Sequence, residues 1–518
     1  MTDPRAAGDA GAANAAAHLL GHNLRDRPDK IAFIADGRRF TFGELGEQAA
    51  LAAAALRQAG LYPGDRVVLC LLDGVSFVAA FLGAIQSGVT PVPINTLFRA
   101  PDYAHILADC AAKAAIVSGP LHAVLQDAAR QAGWGGKLIV SAPGPGGAHP
   151  ASFEALLQRA KPDDAFHPAG GEAIAFWLYS SGSTGKPKGV LHRHASIAAT
   201  TDLYARQVLD LRESDVIFSA AKLYHAYGLG NALTFPLAVG ATTVLHADRI
   251  TPAAAFAILR AHGVSVFFGA PTLYAAMLAH PEAPAELPGL RLCVSAGESL
   301  PRDVGQAWAQ RYGVDIVDGI GSTEMLHIFV TNRPGAVRYG ATGAPTPGYR
   351  VRLLNEAGAE TAPGEIGELF VSGPSSAAGY WNNPQKTADT FRGEWVRTGD
   401  KFLREEDGAF VFCGRGDDML KVSGNWVSPS EVESALIAHP AVLEAAVIGA
   451  PDENGLTRAK AFVTLKPGAH GDAQMAEALR AFTKERLAPY KYPRLIEFVD
   501  ELPKTATGKI QRHLLRGR

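Results

Sequence analysis

Tyr179-Ser180-Ser181-Gly182-Ser183-Thr184-Gly185-Lys186-Pro187-Lys188-Gly189 is a loop that begins where an apolar run, Ala173-Ile174-Ala175-Phe176-Trp177-Leu178-Tyr179, ends. The run reads as a buried strand. Glycines in the loop let backbone approach a ligand closely, and successive N–H groups in such a turn form an anion-binding concavity. Hydroxyls add donors and the lysines add positive charge, so the physical reading is a cradle for a polyphosphate. The spacing excludes a Walker A loop, because Gly182 and Gly185 are too close and Pro187 follows Lys186. It also excludes a nucleophile elbow, because Ser183 directly follows Gly182. Composition alone would serve a flexible surface loop equally well.

On both sides of this loop, apolar runs alternate with helical patterns. Thr41-Phe42-Gly43-Glu44 reads as a capping box opening a helix that Gly60 stops. Val67 to Ile85, the most apolar stretch, is broken by Asp73-Gly74 and reads as a strand then a helix, not a membrane span. Thr251-Pro252 caps a further helix that Gly263 closes. The alternation predicts layered α/β subdomains with largely parallel sheets. From about residue 340 to 416 turns thicken and strands shorten, which predicts a β-rich subdomain. After Asp417 a compact α+β unit is expected, opened by a second capping box at Ser428-Pro429-Ser430-Glu431. The predicted division is therefore a large N-terminal domain, 1–416, and a small mobile C-terminal domain, 417–518. Residues 1–17 read as a loose tail without the layout of a signal peptide, and 142–150 as a loop.

The chain has 518 residues, enough for two to four domains. Its 49 basic and 51 acidic residues give a net charge of −2, which points to neither nucleic acid nor an anionic membrane. The scattered cysteines, Cys70, Cys110, Cys293 and Cys413, form no metal-binding pattern and fit core positions in a reducing, cytoplasmic setting.

A second candidate site is Asp318-Gly319-Ile320-Gly321-Ser322-Thr323-Glu324, behind a strand expected at Val314–Val317. A carboxylate beside a hydroxyl and two glycines suits magnesium and phosphate, since Mg²⁺ usually takes one or two carboxylates plus phosphate oxygens. A tight turn with a solvated glutamate is the plain alternative.

The order of residues at 180–189 closely resembles the phosphate loop of the adenylate-forming superfamily: acyl- and aryl-CoA ligases, luciferases and adenylation domains of peptide synthetases. The resemblance spans about Ala16 to Leu515 and is closest to benzoate–CoA ligases. It implies ATP contacts from Ser180, Ser181, Gly182, Ser183, Thr184, Gly185, Lys186 and Lys188, from Ala296, Gly297 and Glu298, and from Asp318, Gly319, Ile320 and Thr323. Asp400 of Trp395-Val396-Arg397-Thr398-Gly399-Asp400 and Arg415 would hold the ribose. Ile320 departs from the family, which often has an aromatic residue against adenine. Glu324 would bind Mg²⁺. Lys509, in Pro503-Lys504-Thr505-Ala506-Thr507-Gly508-Lys509, would be the catalytic lysine, with Thr184 and Glu324 as the other catalytic residues. Asp417 would be the hinge, and Ser423, Gly424, Asn425 and Trp426 would meet coenzyme A. The acid pocket would comprise His225, Ala226, Tyr227, Gly321, His327 and Ile328, short and flat enough for a planar ring. The implied reaction joins benzoate, ATP and CoA. A hydroxybenzoate or short fatty acid, or a carrier protein in place of CoA, stays open, as does a dimer.

Overall fold

The computed structural model describes residues 14–141, 152–180, 186–416, 418–422, 425–452, 456–504 and 510–516. Several expected features therefore lie outside the described residues: the loop 142–150, Ser181 to Gly185, Asp417, Ser423, Gly424 and Lys509.

A nine-stranded sheet forms the centre of the large domain. Six of its strands, Ile31–Ala35, Thr242–Val244, Val216–Ser219, Val266–Gly269, Leu292–Ser295 and Ile316–Gly321, run parallel to one another, with antiparallel strands at both ends. One face is covered by helices Pro252–Ala261, Pro271–Leu278 and Arg302–Tyr312, which bury Phe256, Tyr274, Met277 and Trp308. The other face packs against Tyr204, Phe235 and Val239. A four-stranded parallel sheet (Thr90–Pro93, Arg66–Cys70, Ala114–Ser118, Lys137–Ser141) lies alongside, served by the apolar helix Val75–Ser87. The α/β alternation read from the sequence thus becomes two parallel sheets. Thr41 caps the helix Phe42–Gln58 reciprocally with Glu44, and Gly60 then takes φ +83°.

The β-rich subdomain is a five-stranded antiparallel sheet between Arg350 and Arg415. The smaller C-terminal α+β domain has a three-stranded sheet (Val442–Pro451, Thr457–Leu465, Leu495–Phe498) packed on helices Pro429–Ile437 and Ala473–Lys484. Among the described residues no helix is long and apolar enough to cross a membrane. All four cysteines are buried and unpaired, as core positions require.

Four local expectations are corrected. Asn14 to Ala17 are no tail: Asn14 caps the helix Ala15–Asp26, and its amide donates to Ile85 O at 2.7 Å. Ser428 does accept from Glu431 N, but Glu431 turns its carboxylate to Lys491 at 2.8 Å, so the second capping box is only half made. The strand expected at 314–317 runs Ile316–Gly321 and so carries the glycine motif itself, because Ile328–Thr331 pairs with its end. Thr398-Gly399-Asp400, read as a turn, sits inside the long strand Trp395–Arg404 at a register shift, where Gly399 has φ +77°.

Candidate active site

The stretch 174–193 is an antiparallel hairpin, Ile174–Ser180 against Lys188–Arg193, with Ser180 opposite Lys188. Its strands are short, so other segments must fix it. Tyr179 donates to Asp109 Oδ2 at 2.6 Å, and Trp381 Nε1 donates to Asp109 O at 2.8 Å. Trp177 and Trp381 pack with ring centroids 4.6 Å apart. An aromatic pair of this kind adds about 1 kcal/mol beyond its buried area. The outer edge of Lys188–Arg193 pairs with 378–381: Ala378 N donates to Leu191 O, Leu191 N to Gly379 O, and Trp381 N to Gly189 O, at 2.8 to 3.0 Å.

That pairing delivers Tyr380, a residue the sequence reading missed. Its hydroxyl donates to Glu324 Oε1 at 2.8 Å, while Ala377 N donates to Glu324 O at 2.8 Å. The segment 375–381 thus ties the hairpin to the turn carrying Glu324. Lys188 is close enough that Glu324 favours its charged form, although burial and then Lys386 pull its pKa below the ordinary lysine value. The same group includes Arg415, which acts electrostatically on Tyr380. Arg415 Nη1 donates to Asp400 Oδ1 at 2.9 Å across two paired strands. The sequence signal for Tyr380 was weak, because its partner is 56 residues away and no local pattern marks it.

Asp318 ends the parallel part of its strand, opposite Ser295. Burial pushes its carboxyl up to about 8, against the pull of the nearby polar groups of Leu300, Ser295 and Gly319. Oδ1 itself has no hydrogen-bond partner among the described residues. The Ala296–Glu298 segment follows Ser295, with Gly297 at φ +97°. Ile320 is half-buried and packs against the core of the β-rich subdomain.

The acid-pocket residues come together. Gly321 must be glycine, since a Cβ there would lie 2.6 Å from His327 O and 2.9 Å from Ile328 N. Gly228 likewise makes room for Lys222 O, only 2.1 Å from a Cβ position, and so shapes the turn that presents His225, Ala226 and Tyr227. Tyr227 donates to Val294 O at 3.2 Å, and its ring lies 5.6 Å from His327. His327 and Ile328 are buried, and burial holds the His327 imidazole down to about 3, neutral at physiological pH. Among the hinge-side residues, Asn425 and Trp426 lie on the strand Asn425–Val427, paired with Leu420–Val422. Lys504 and Ile510 pair across the segment that contains Lys509. Arg512 donates to Glu433 at 2.7 and 3.0 Å; burial opposes its charge, but Glu433, then Asp418 and last Glu298, raise its pKa.

The sequence profile of the AMP-binding enzymes matches residues 20–381, and that of the AMP-binding enzyme C-terminal domain matches 431–509. The chain belongs to the AMP-binding enzyme family. It is 55% identical over 507 residues to a benzoate–CoA ligase of Thauera aromatica, covering 97% of this chain and 95% of that one. It is 46% identical to a 4-hydroxybenzoate–CoA/benzoate–CoA ligase of Rhodopseudomonas palustris, covering 97% and 94%. The crystal structure of a benzoate CoA ligase from Burkholderia xenovorans LB400 superposes with TM-score 0.91 at 50% identity, covering 97% of this chain and 100% of that one.

Glu324 is the expected magnesium ligand. Oε1 is taken by Tyr380, and Oε2 has no partner among the described residues. No group of three or more His, Cys, Asp or Glu side chains converges among them either. One carboxylate oxygen beside a lysine-bearing hairpin fits a magnesium ion that arrives on a triphosphate, and does not fit an all-protein cage.

Proposed function

We propose that this chain is an AMP-forming aryl-CoA ligase that converts benzoate, ATP and CoA into benzoyl-CoA, AMP and pyrophosphate through benzoyl-adenylate. The observation that supports the reading is the meeting of Tyr227, His327 and Ile328 just beyond the Glu324 turn, where a short apolar site for the acid would lie. A planar ring with one carboxylate suits such a site, and the relatives named for benzoate support it.

In the first step a carboxylate oxygen of the acid attacks the α-phosphorus of ATP, and the bond to the β-phosphate oxygen breaks to release pyrophosphate. In this reading the hairpin residues Ser180 to Lys188, with Thr184, cradle the phosphates. Asp318 and the 296–298 segment meet the adenine, and Asp400 with Arg415 meet the ribose. Glu324 would hold Mg²⁺, which neutralises phosphate charge when bound. Lys509 steadies the negative charge gathering between carboxylate and α-phosphate, a large term when preorganised. In the second step the CoA thiolate attacks the acyl carbonyl and AMP leaves. The small domain, taken as 417–518 and turning about Asp417, brings Ser423 to Trp426 to the thiol path. The same reading places the enzyme in the cytoplasm.

A panel of benzoate, hydroxybenzoates, anthranilate and hexanoate in a pyrophosphate-release assay tests this. Benzoate should give the highest kcat/KM. Preference for hexanoate would end the aromatic reading, and release of AMP without CoA dependence would end the thioester step.

A further inference from the structure

His327 is held by Tyr227 of the expected pocket and by Tyr204, Gly230, Asn231 and Phe235, which that assignment does not include. Asn231 Oδ1 lies 3.1 Å from its Nε2, wholly buried. Phe235, Tyr204 and Tyr227 surround the ring at centroid distances of 4.4, 5.2 and 5.6 Å. Gly230 touches it so closely that a Cβ would stand 2.4 Å from Cδ2 and 2.7 Å from Nε2. Tyr204 and Asn231 both come from π-helical turns, Thr201–Arg206 and Gly230–Thr234. Such turns are rare and concentrate at functional sites.

We propose that Asn231 and Gly230 are positioning residues that fix His327, and through it select which ring the acid pocket accepts. The inference rests on the aromatic-acid reading above and adds the residues that set its selectivity. Gly230 supplies the room for the imidazole. Asn231 sets its tautomer: Oδ1 can only accept, so Nε2 carries the hydrogen and Nδ1 keeps its lone pair. This amide orientation turns the NH₂ towards the Tyr227 hydroxyl, whose own hydrogen is directed at Val294 O.

Three buried polar atoms here, Tyr204 Oη, Asn231 Nδ2 and His327 Nδ1, have no partner within hydrogen-bond geometry among the described residues. Leaving a buried polar atom unpaired costs about 1–3 kcal/mol. An apolar wall would be more stable, so the arrangement is explained by what it does to the pocket and not by packing. A ring locked in one orientation and one tautomer presents one fixed wall to the substrate. A loosened ring would present several.

The test uses the full-length enzyme with Asn231→Leu, Asn231→Asp and Gly230→Ala. In Asn231→Leu the ratio of kcat/KM for benzoate over 4-hydroxybenzoate and 2-aminobenzoate should shift by about fivefold or more, within the range a pocket contact can supply. The change should lie in the KM of the acid, with the KM of ATP unaltered. Asn231→Asp keeps the acceptor and should restore the ratio. Gly230→Ala keeps every polar group and should shift the ratio by displacing the ring, so the steric half is tested even if the leucine variant fails to fold. Nitrogen NMR of labelled histidine, with His327→Gln for assignment, should show an unprotonated Nδ1 in the parent enzyme. Unchanged ratios in both Asn231→Leu and Gly230→Ala, or a protonated Nδ1, would overturn the proposal. A parent enzyme indifferent to benzoate would remove the substrate reading instead, and the nitrogen spectrum would still decide the role of Asn231.

Discussion

Glu324 and Asp318 are carboxyl groups six residues apart in unlike surroundings. Glu324 faces Tyr380 and Lys188 at the mouth of the site. Replacing Tyr380 with phenylalanine removes one charge-assisted hydrogen bond, so adenylate formation should fall about tenfold. The apparent Mg²⁺ requirement should rise, and a magnesium titration of ATP-analogue binding by calorimetry would read it. Unchanged metal dependence would remove Tyr380 from the site. Asp318 is sealed among apolar strands, and its carboxyl stays protonated up to about 8 against an ordinary value near 4. Between those limits the folded chain holds a proton that the unfolded chain has lost. Stability is therefore greatest at the acid end of that window and falls as pH rises through it. In Asp318→Asn the slope of unfolding free energy against pH between 5 and 8 should flatten; a persistent slope would assign it elsewhere. His192 and His327 act in the opposite sense. Burial lowers both to about 3, so the stability they contribute is present above about 6.5 and is lost as pH falls towards 3.

At the scale of elements, the strand Ile316–Gly321 is the part that positions everything else. Gly321→Ala would drive a methyl into the backbone of His327 and Ile328, contacts of 2.6 to 2.9 Å that no rotamer can relieve. A displacement near 1 Å at a reacting site can cost about a hundredfold, so kcat/KM for benzoate should drop by that order. The KM of ATP should change less, and a crystal structure of the variant should show the strand pair spread. Much of this element could be read in the chain beforehand. Gly-x-Thr-Glu marked the site, and caps such as Thr41 and Thr251 marked their helices, because a cap is a local event between neighbours. What stayed hidden depends on partners distant in sequence. Asp318 to Gly321 read as a turn because nothing local shows that Ile328–Thr331 will pair with it. Tyr380 was invisible for the same reason. Glu431 misled because Lys491, 60 residues on, competes for its carboxylate.

For the molecule as a whole, the proposed reaction has two steps that would share one active site, with groups for both expected on the small domain. Arg415 and Gly416 are fastened to the β-rich sheet through Thr398 O, Asp400 and Gly399 O. Just beyond, Asp418 is gripped by Arg516 at 2.6 Å from within the small domain. Asp417, the expected hinge, falls between these two groups in the sequence, and Asp418 N and Met419 N also donate back to Arg415 O. Proline there restricts φ. Asp417→Pro should keep adenylate formation, followed by isotope exchange between pyrophosphate and ATP, and lose thioester formation. Equal loss of both would place the pivot elsewhere.

The indole rings of Trp177 and Trp381, 4.6 Å apart, also have an optical consequence. One is rooted in the hairpin and the other beside the tyrosine that grips Glu324, so their excited states are coupled only while those two parts stay in register. Circular dichroism in the indole bands should therefore carry a paired signal of opposite signs, lost in Trp381→Phe. With the molecule as its own gauge, nucleotide entry could be timed in a stopped-flow instrument without attaching any dye.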